Sequence, residues 1–371
     1  MALNDEELLR VYRDLHKIFL EDLHIVRPLI QMLQSRGDIE HARDLALSMA
    51  RRMLAKGKPG SAIGFLELCK QLNHPDTDEI EALSSLARLT EDGPIDVESG
   101  SAQVFTLIDQ LSDLEAQDFL RQGRLLNVAE GQDVVQQGEV SRNFYLILEG
   151  EMHVHIDTSN GHQVSLSTLG PGHFFGEFAC VYQLPRSATV TAKVKSILLE
   201  FSDLAVSQLM QRSPLAGERL MRTVQSRLIH AMSYSHPAFA ELPEADRKWL
   251  AEESRLLEFQ PGAIVTRQGE MSDYCCVIVH GEAVAKRQQN DQKLECTLKT
   301  GDMFGDAIRY IRLPKGTEVV ATSHCLVCCI PKVVCLSFMN AYASFEHWVE
   351  PHGEERQQQL QIPLEEWDIE A

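Results

Sequence analysis

Apolar positions along residues 1–92 return every three or four places: Leu8, Leu9, Tyr12 and Leu15, then Ile25, Leu29, Met32 and Leu33. That period puts them on one face of a helix. Gly37 breaks the pattern, and Asp38 is placed to cap a further helix carrying Ala42, Leu45, Ala46, Met49, Ala50 and Met53. Gly57-Lys58-Pro59-Gly60 reads as a turn, followed by a helix with Ala62, Phe65, Leu66 and Cys69 that ends near His74-Pro75. Residues 93–101 (DGPIDVESG) are polar with Gly, Pro and Ser, as a linker would be. Beyond them the texture changes to short β-type runs separated by glycines.

Those runs occur twice. Gly131, Gly138 and Gly150 recur as Gly262, Gly269 and Gly281, each at an offset of 131. Leu146-Ile147-Leu148-Glu149-Gly150 returns as Val277-Ile278-Val279-His280-Gly281, and Phe175-Gly176 returns as Phe304-Gly305 at an offset of 129. Glycines, a strand phrase and a later motif in one register mark a tandem duplication of a β-rich domain. Residues 202–232 between the copies predict helices broken at Ser213-Pro214, with Ser213 as N-cap of the second. A shorter helical stretch, 331–347, follows the second copy. The predicted organisation is therefore a helical domain over 1–92, a linker at 93–101, β-rich domains at 102–232 and 233–347, and an acidic tail at 348–371.

Charge and composition narrow the function. With 54 acidic and 35 basic residues, the 371-residue chain has a net charge of −19, which repels phosphate backbones and anionic lipid and leaves nucleic acid an unexpected partner. No run of about 18 apolar residues predicts membrane insertion, and the start MALNDEELL lacks a signal-peptide layout. Nine cysteines, an odd number in no secreted-scaffold spacing, predict reduced thiols and a cytoplasmic location.

The chemistry concentrates in residues 174–192. Gly176-Glu177-Phe178-Ala179 follows a strand and opens a short apolar turn, whose first N–H groups would face an anion. Glu177 could accept from a hydroxyl pair, and Arg186 offers a bidentate fork for phosphate. Together these groups suit a small molecule with one anionic phosphate beside a sugar hydroxyl. The whole phrase, Phe175-Gly176-Glu177-Phe178-Ala179 and then Pro185-Arg186-Ser187-Ala188, resembles the phosphate-binding cassette of the cyclic nucleotide-binding domain family. Pro185 before the arginine is the form found in kinase regulatory subunits. The resemblance covers roughly residues 102–345 and implies an α+β chain: a helical bundle, then two jelly-roll-like domains with flanking helices. It further implies that Glu177 binds the ribose 2′-hydroxyl and Arg186 an exocyclic phosphate oxygen. The N–H groups of Ala179 and Cys180 and the Ser187 hydroxyl would complete the cradle, with Phe178 in the place of the usual Leu. The helix after the first domain would bring Arg227, Ala231, Met232 and Ser233 over the base. Ala231 and Met232 stand where related transcription factors carry hydroxyls, and the kinase-like phrase favours cAMP over cGMP. Residues 43–76 resemble one tetratricopeptide unit, with Ala46, Ala50, Ala62 and Cys69 at its small-residue places; a plain helical hairpin bundle accounts for them equally well.

The second copy has the length of the cassette without its chemistry. Asp306 is one methylene shorter than Glu177, Lys315 cannot make the planar fork of Arg186, Gly316 removes the hydroxyl, and Glu318 adds an anion. We expect Asp306, Ile308 and Lys315 to form a degenerate site, or else one retuned to another anion. Seven of the nine cysteines lie in this copy, including Cys275-Cys276 and Cys325, Cys328 and Cys329, but Cys-x-x-Cys on a strand points to opposite faces. Buried apolar thiols, with no metal and no cofactor, are the expectation. No catalytic constellation stands out, so the chain is expected not to be an enzyme. No helix-turn-helix is evident after the second copy, and residues 93–101 hold no inhibitor-type arginine stretch. The expectation is a cyclic nucleotide receptor that acts through an unidentified protein partner of its helical domain. A nucleotide-independent scaffold, or the regulatory subunit of a partner enzyme, is the alternative.

Overall fold

The computed structural model describes residues 2–90, 111–157, 163–267, 273–289, 292–305 and 317–349. The chain forms two compact units, Met1–Met221 and Arg222–Ala371.

The first unit opens with α1 (Asp5–Ile18), α2 (Leu23–Ser35), α3 (Ile39–Ala55), α4 (Pro59–Gln71) and α5 (Thr77–Thr90). Asn4 caps α1 in a reciprocal box with Glu7, each side chain meeting the other residue's N–H. Asp38 stands at the N-cap of α3 but makes no capping bond. Its carboxylate is taken instead by His41 at 2.6 Å and Arg13 at 3.4 Å. Ala42, Ala46 and Ala50 of α3 and Ala62 and Cys69 of α4 are fully buried, so the small residues let these two helices pack closely as a hairpin. A cavity of about 420 Å³ opens beside α2 and α4, lined by Arg27, Ile30, Gln31, Phe65 and Leu68 among others. The sequence reading named no helix over 77–90.

After α6 (Asp113–Arg121) come the strands β1 (Arg124–Val128), β2 (Asp133–Val135), β3 (Phe144–Glu149), β4 (Met152–Asp157), β5 (Gln163–Leu169) and β6 (Phe174–Phe175). The short helix α7 (Glu177–Tyr182) separates them from β7 (Thr189–Ala192) and β8 (Ser196–Phe201). These strands form two antiparallel sheets, ordered β1-β8-β3-β6 and β2-β7-β4-β5. Between them lies a core of Val128, Tyr145, Ile147, Met152, Phe175, Val190 and Leu198. The helices are tied directly to this domain. Leu3 N–H donates to Arg121 O at 2.8 Å, Arg121 pairs with Asp5 at 2.6 Å, and Lys17 lies 3.9 Å from Glu149. Helix α8 (Asp203–Arg212) ends at Ser213, and α9 (Pro214–Ser235) begins at Pro214 with Ser213 Oγ accepting from Ala216 N–H, as the sequence predicts.

The second unit repeats the domain. Helix α10 (Glu244–Glu253) leads to β9 (Arg255–Phe259), β10 (Ile264–Arg267), β11 (Tyr274–His280), β12 (Glu282–Gln289), β13 (Gln292–Lys299), β14 (Met303–Gly305), β15 (Thr317–Ala321) and β16 (Cys325–Pro331), then α11 (Lys332–Ala341). The sheet orders β14-β11-β16-β9 and β10-β15-β12-β13 reproduce those of the first domain strand for strand. Helix α9 continues past residue 221, so the helix predicted to close the first domain divides between the two units. The predicted linker at 93–101 and nearly all of the tail lie outside the described residues.

Candidate functional site

Arg186 sits at the centre of the first domain's loop between α7 and β7 and is only 4% exposed. An isolated cation at such depth costs several kcal/mol unless it is bonded. Here Nε donates to Ser141 Oγ at 2.9 Å, Nη1 to Gly176 O at 3.0 Å, and Nη2 to Asn143 O at 2.9 Å. The Arg186 backbone is pinned as well: its N–H donates to Glu139 O and its carbonyl accepts from Gly138 N–H, both at 2.9 Å. Burial lowers the guanidinium from its usual value, opposed chiefly by Tyr145 and Glu139, and it remains a cation. Three of its five N–H donors hold the fold. The second N–H of each terminal nitrogen takes no part in these bonds.

Gly176 makes this arrangement possible. Its φ of +82° is left-handed, and a Cβ there would fall 2.6 Å from Asn143 O and 2.8 Å from Arg186 Nη1. The same residue is the N-cap of α7 and has no side chain to cap the first turn. Glu177 opens the helix and is 8% exposed. Ala179 and Cys180 are buried in the same turn, and burial pushes the Cys180 thiol up to about 12. Phe178 is half-buried with its ring 5.7 Å from Tyr182, Ser187 is exposed, and Ala188 is half-buried. The structure thus brings Gly176, Glu177, the α7 turn, Arg186 and Ser187 onto one short segment. A carboxylate, a helix turn with no side-chain cap and a cationic fork suit an anion with a neighbouring hydroxyl.

The residues predicted to cover a base, Arg227, Ala231, Met232 and Ser233, belong to the part of α9 in the second unit. There Ser233 is fully buried; its hydroxyl donates to His230 O at 2.6 Å and accepts from Arg247 Nη1 at 3.2 Å. Arg247 also bonds Ser233 O and lies over the Tyr234 ring at 4.1 Å. In the second domain Gly305 also has a positive φ, +130°, and Tyr274 O lies 2.6 Å from where its Cβ would be. Asp306, Ile308 and Lys315 lie outside the described residues. Sequence reasoning missed Ser141 and Asn143. Asn143 acts through a backbone carbonyl, which no side-chain pattern announces.

The family model of the cyclic nucleotide-binding domain matches residues 125–213 and 256–342. The chain carries two cyclic nucleotide-binding domains. It is similar to the cAMP-dependent protein kinase regulatory subunit of Eremothecium gossypii, 28% identical over 206 residues, which are 55% of this chain and 42% of that protein. It is 26% identical over 199 residues to the corresponding subunit of Emericella nidulans, covering 52% of this chain and 46% of that one. The match thus spans less than half the length of either relative. The solved regulatory domain of Toxoplasma gondii PKA with cAMP is 22% identical, with a TM-score of 0.30, over 70% of this chain and 99% of that one. Both relatives are named for the regulatory part of a kinase, not its catalytic part. Among the described residues no helix is long and apolar enough to cross a membrane, and no cluster of three or more metal-ligating side chains occurs.

Proposed function

We propose that this chain is a non-catalytic receptor that binds a cyclic nucleotide, cAMP in preference to cGMP, in its first domain and passes the event to a protein partner through its helical domain. The observation that carries the reading is the buried Arg186, whose bonds to Ser141, Gly176 and Asn143 orient the guanidinium beside an uncapped helix turn and Glu177. A preorganised cation spends little of its binding energy on ordering itself. In this reading Glu177 takes the ribose hydroxyl, Arg186 the phosphate, and Ala179, Cys180 and Ser187 complete the cradle. Residues 227–233 of α9 would pack on the base when ligand is present. The preference for cAMP draws on the kinase-type cassette phrase and on the names of the relatives. Those names also support a regulatory role toward a partner enzyme. The nine free thiols fit a reducing compartment, and we place the protein in the cytoplasm. The acidic charge leaves nucleic acid out of the proposed partners.

Calorimetric titration of the full chain with cAMP and, separately, cGMP tests the proposal, alongside Arg186→Ala and Lys315→Ala. We expect one site per chain, tighter for cAMP, unchanged in Lys315→Ala. Arg186→Ala should weaken it roughly ten- to over a hundredfold, the worth of a charge-assisted bidentate contact. Absence of binding to both nucleotides leaves the scaffold reading in its place.

A further inference from the structure

The cysteine-rich second domain contains a feature that nucleotide binding does not use. Strands β11 and β16 place Cys276 directly opposite Cys329, both facing the core between the two sheets with Ile278, Phe304 and Val327. Cys276 Sγ donates to Cys329 Sγ at 3.6 Å. On its other side Cys329 is register partner to Arg255 of β9. The duplication shows what this rung replaces. In the first domain Arg124 opposes Glu200, and Glu200 opposes Tyr145. Arg124 Nε donates to Glu200 at 2.7 Å there. The second domain keeps the arginine and puts a thiol where the first domain has a carboxylate. The Cys276 bond, aided by Arg255, lowers the Cys329 thiol and opposes its burial, whereas Cys276 is raised.

We propose that Cys276 and Cys329 are an oxidisable dithiol that hydrogen peroxide closes into a disulfide across β11 and β16. Directly opposed residues of an antiparallel pair have Cα atoms about 4.5–5.5 Å apart, inside the range a disulfide spans. Both thiols are nearly inaccessible, which selects a small uncharged oxidant over a tripeptide disulfide. The Cys329 thiolate attacks one peroxide oxygen, the O–O bond breaks, and the departing hydroxide is protonated to water, leaving a sulfenic acid. The Cys276 sulfur then attacks Cys329 Sγ; the S–S bond forms, the S–OH bond breaks, and the Cys276 proton leaves with the hydroxide as a second water. Two thiols are oxidised by two electrons and one peroxide is reduced to two waters.

The test treats the folded full-length protein with hydrogen peroxide, quenches it, and alkylates it with N-ethylmaleimide under denaturing conditions before intact-mass measurement and non-reducing peptide mapping. We expect loss of two hydrogen atoms and of two of the nine reactive thiols, with the bond mapped to Cys276–Cys329. In Cys276→Ala the reaction should stop at a sulfenic acid on Cys329 that dimedone traps. A bond mapped to any other pair, such as Cys275 with Cys335, overturns the proposal. So does an unchanged mass from folded protein under conditions that oxidise the urea-unfolded chain. The wild-type map needs no variant to fold.

Discussion

A buried arginine fixed by carbonyls makes the fold and the site depend on the same few atoms. Asn143 O and Gly176 O each accept from the guanidinium, and both would lose their donor with it. The one residue that could not carry a side chain here is Gly176. In Gly176→Ala the new methyl would meet Asn143 O at 2.6 Å in a conformation with a φ of +82°. The Asn143 carbonyl is held at the entry to β3, so the strain falls on the arginine's angle and on the first turn of α7. We expect this substitution to cost more than about 1 kcal/mol of stability and to weaken cAMP binding by roughly tenfold or more, measured by thermal melting and calorimetry on the same preparation. A variant with wild-type affinity would show that the arginine's orientation is not set by these carbonyls. Glu177, Arg186 and the glycine were legible in the sequence because their chemistry lies in side chains at fixed spacing. The partners of Arg186 were not, because backbone carbonyls look alike at every position.

At the level of elements, the loop between β5 and β6 is the meeting point of the cassette and the helices. Gly172 lies four residues before Gly176, with a φ of +84°, and the Phe19 ring packs so closely over it that a Cβ would come within 2.8 Å of Phe19 Cζ and 3.0 Å of Ile18 Cγ2. Gly172 N–H donates to Ile147 O at 2.8 Å, which anchors the loop to the strand bearing Tyr145. Any shift of the cassette is therefore felt at the corner between α1 and α2. We expect ligand to raise the hydrogen-exchange protection of α1 and α2 in the wild-type chain, and Phe19→Ala to remove that gain while leaving cAMP affinity unchanged. Equal protection in both proteins would rule this contact out as the link. The repeat register predicted the strands well: Gly131 and Gly150, and their counterparts Gly262 and Gly281, all take a positive φ in domains whose sheets have identical strand order. Long-range pairings were beyond it. Asp38 reads as a helix cap, yet an arginine 25 residues away and a nearer histidine take its carboxylate. Cys276 and Cys329 are 53 residues apart and meet only because β11 and β16 are neighbours. A short side chain's preference is local, and tertiary partners override it.

For the molecule as a whole, the placement of the unit boundary decides what ligand can stabilise. The helices and the first domain share the unit Met1–Met221, joined by Leu3 to Arg121, Asp5 to Arg121, and Phe19 to Gly172. Elements sharing so many buried and charged contacts unfold together, whereas the second domain has its own core and its own helices. Scanning calorimetry should therefore resolve two transitions, with the helical domain melting in the same one as the first domain. A ligand that binds only the native first domain adds about 2.7 kcal/mol at a free concentration a hundred times its Kd. For a unit of 221 residues this corresponds to a shift of roughly 5–10 °C. That shift should appear in the transition that carries the helical signal, leave the other unmoved, and vanish in Arg186→Ala. Movement of the second transition instead would place the nucleotide in the second domain, which would then hold a working site. Helices that melted alone and ignored cAMP would separate binding from output, because a segment that unfolds independently of the ligand cannot report its presence.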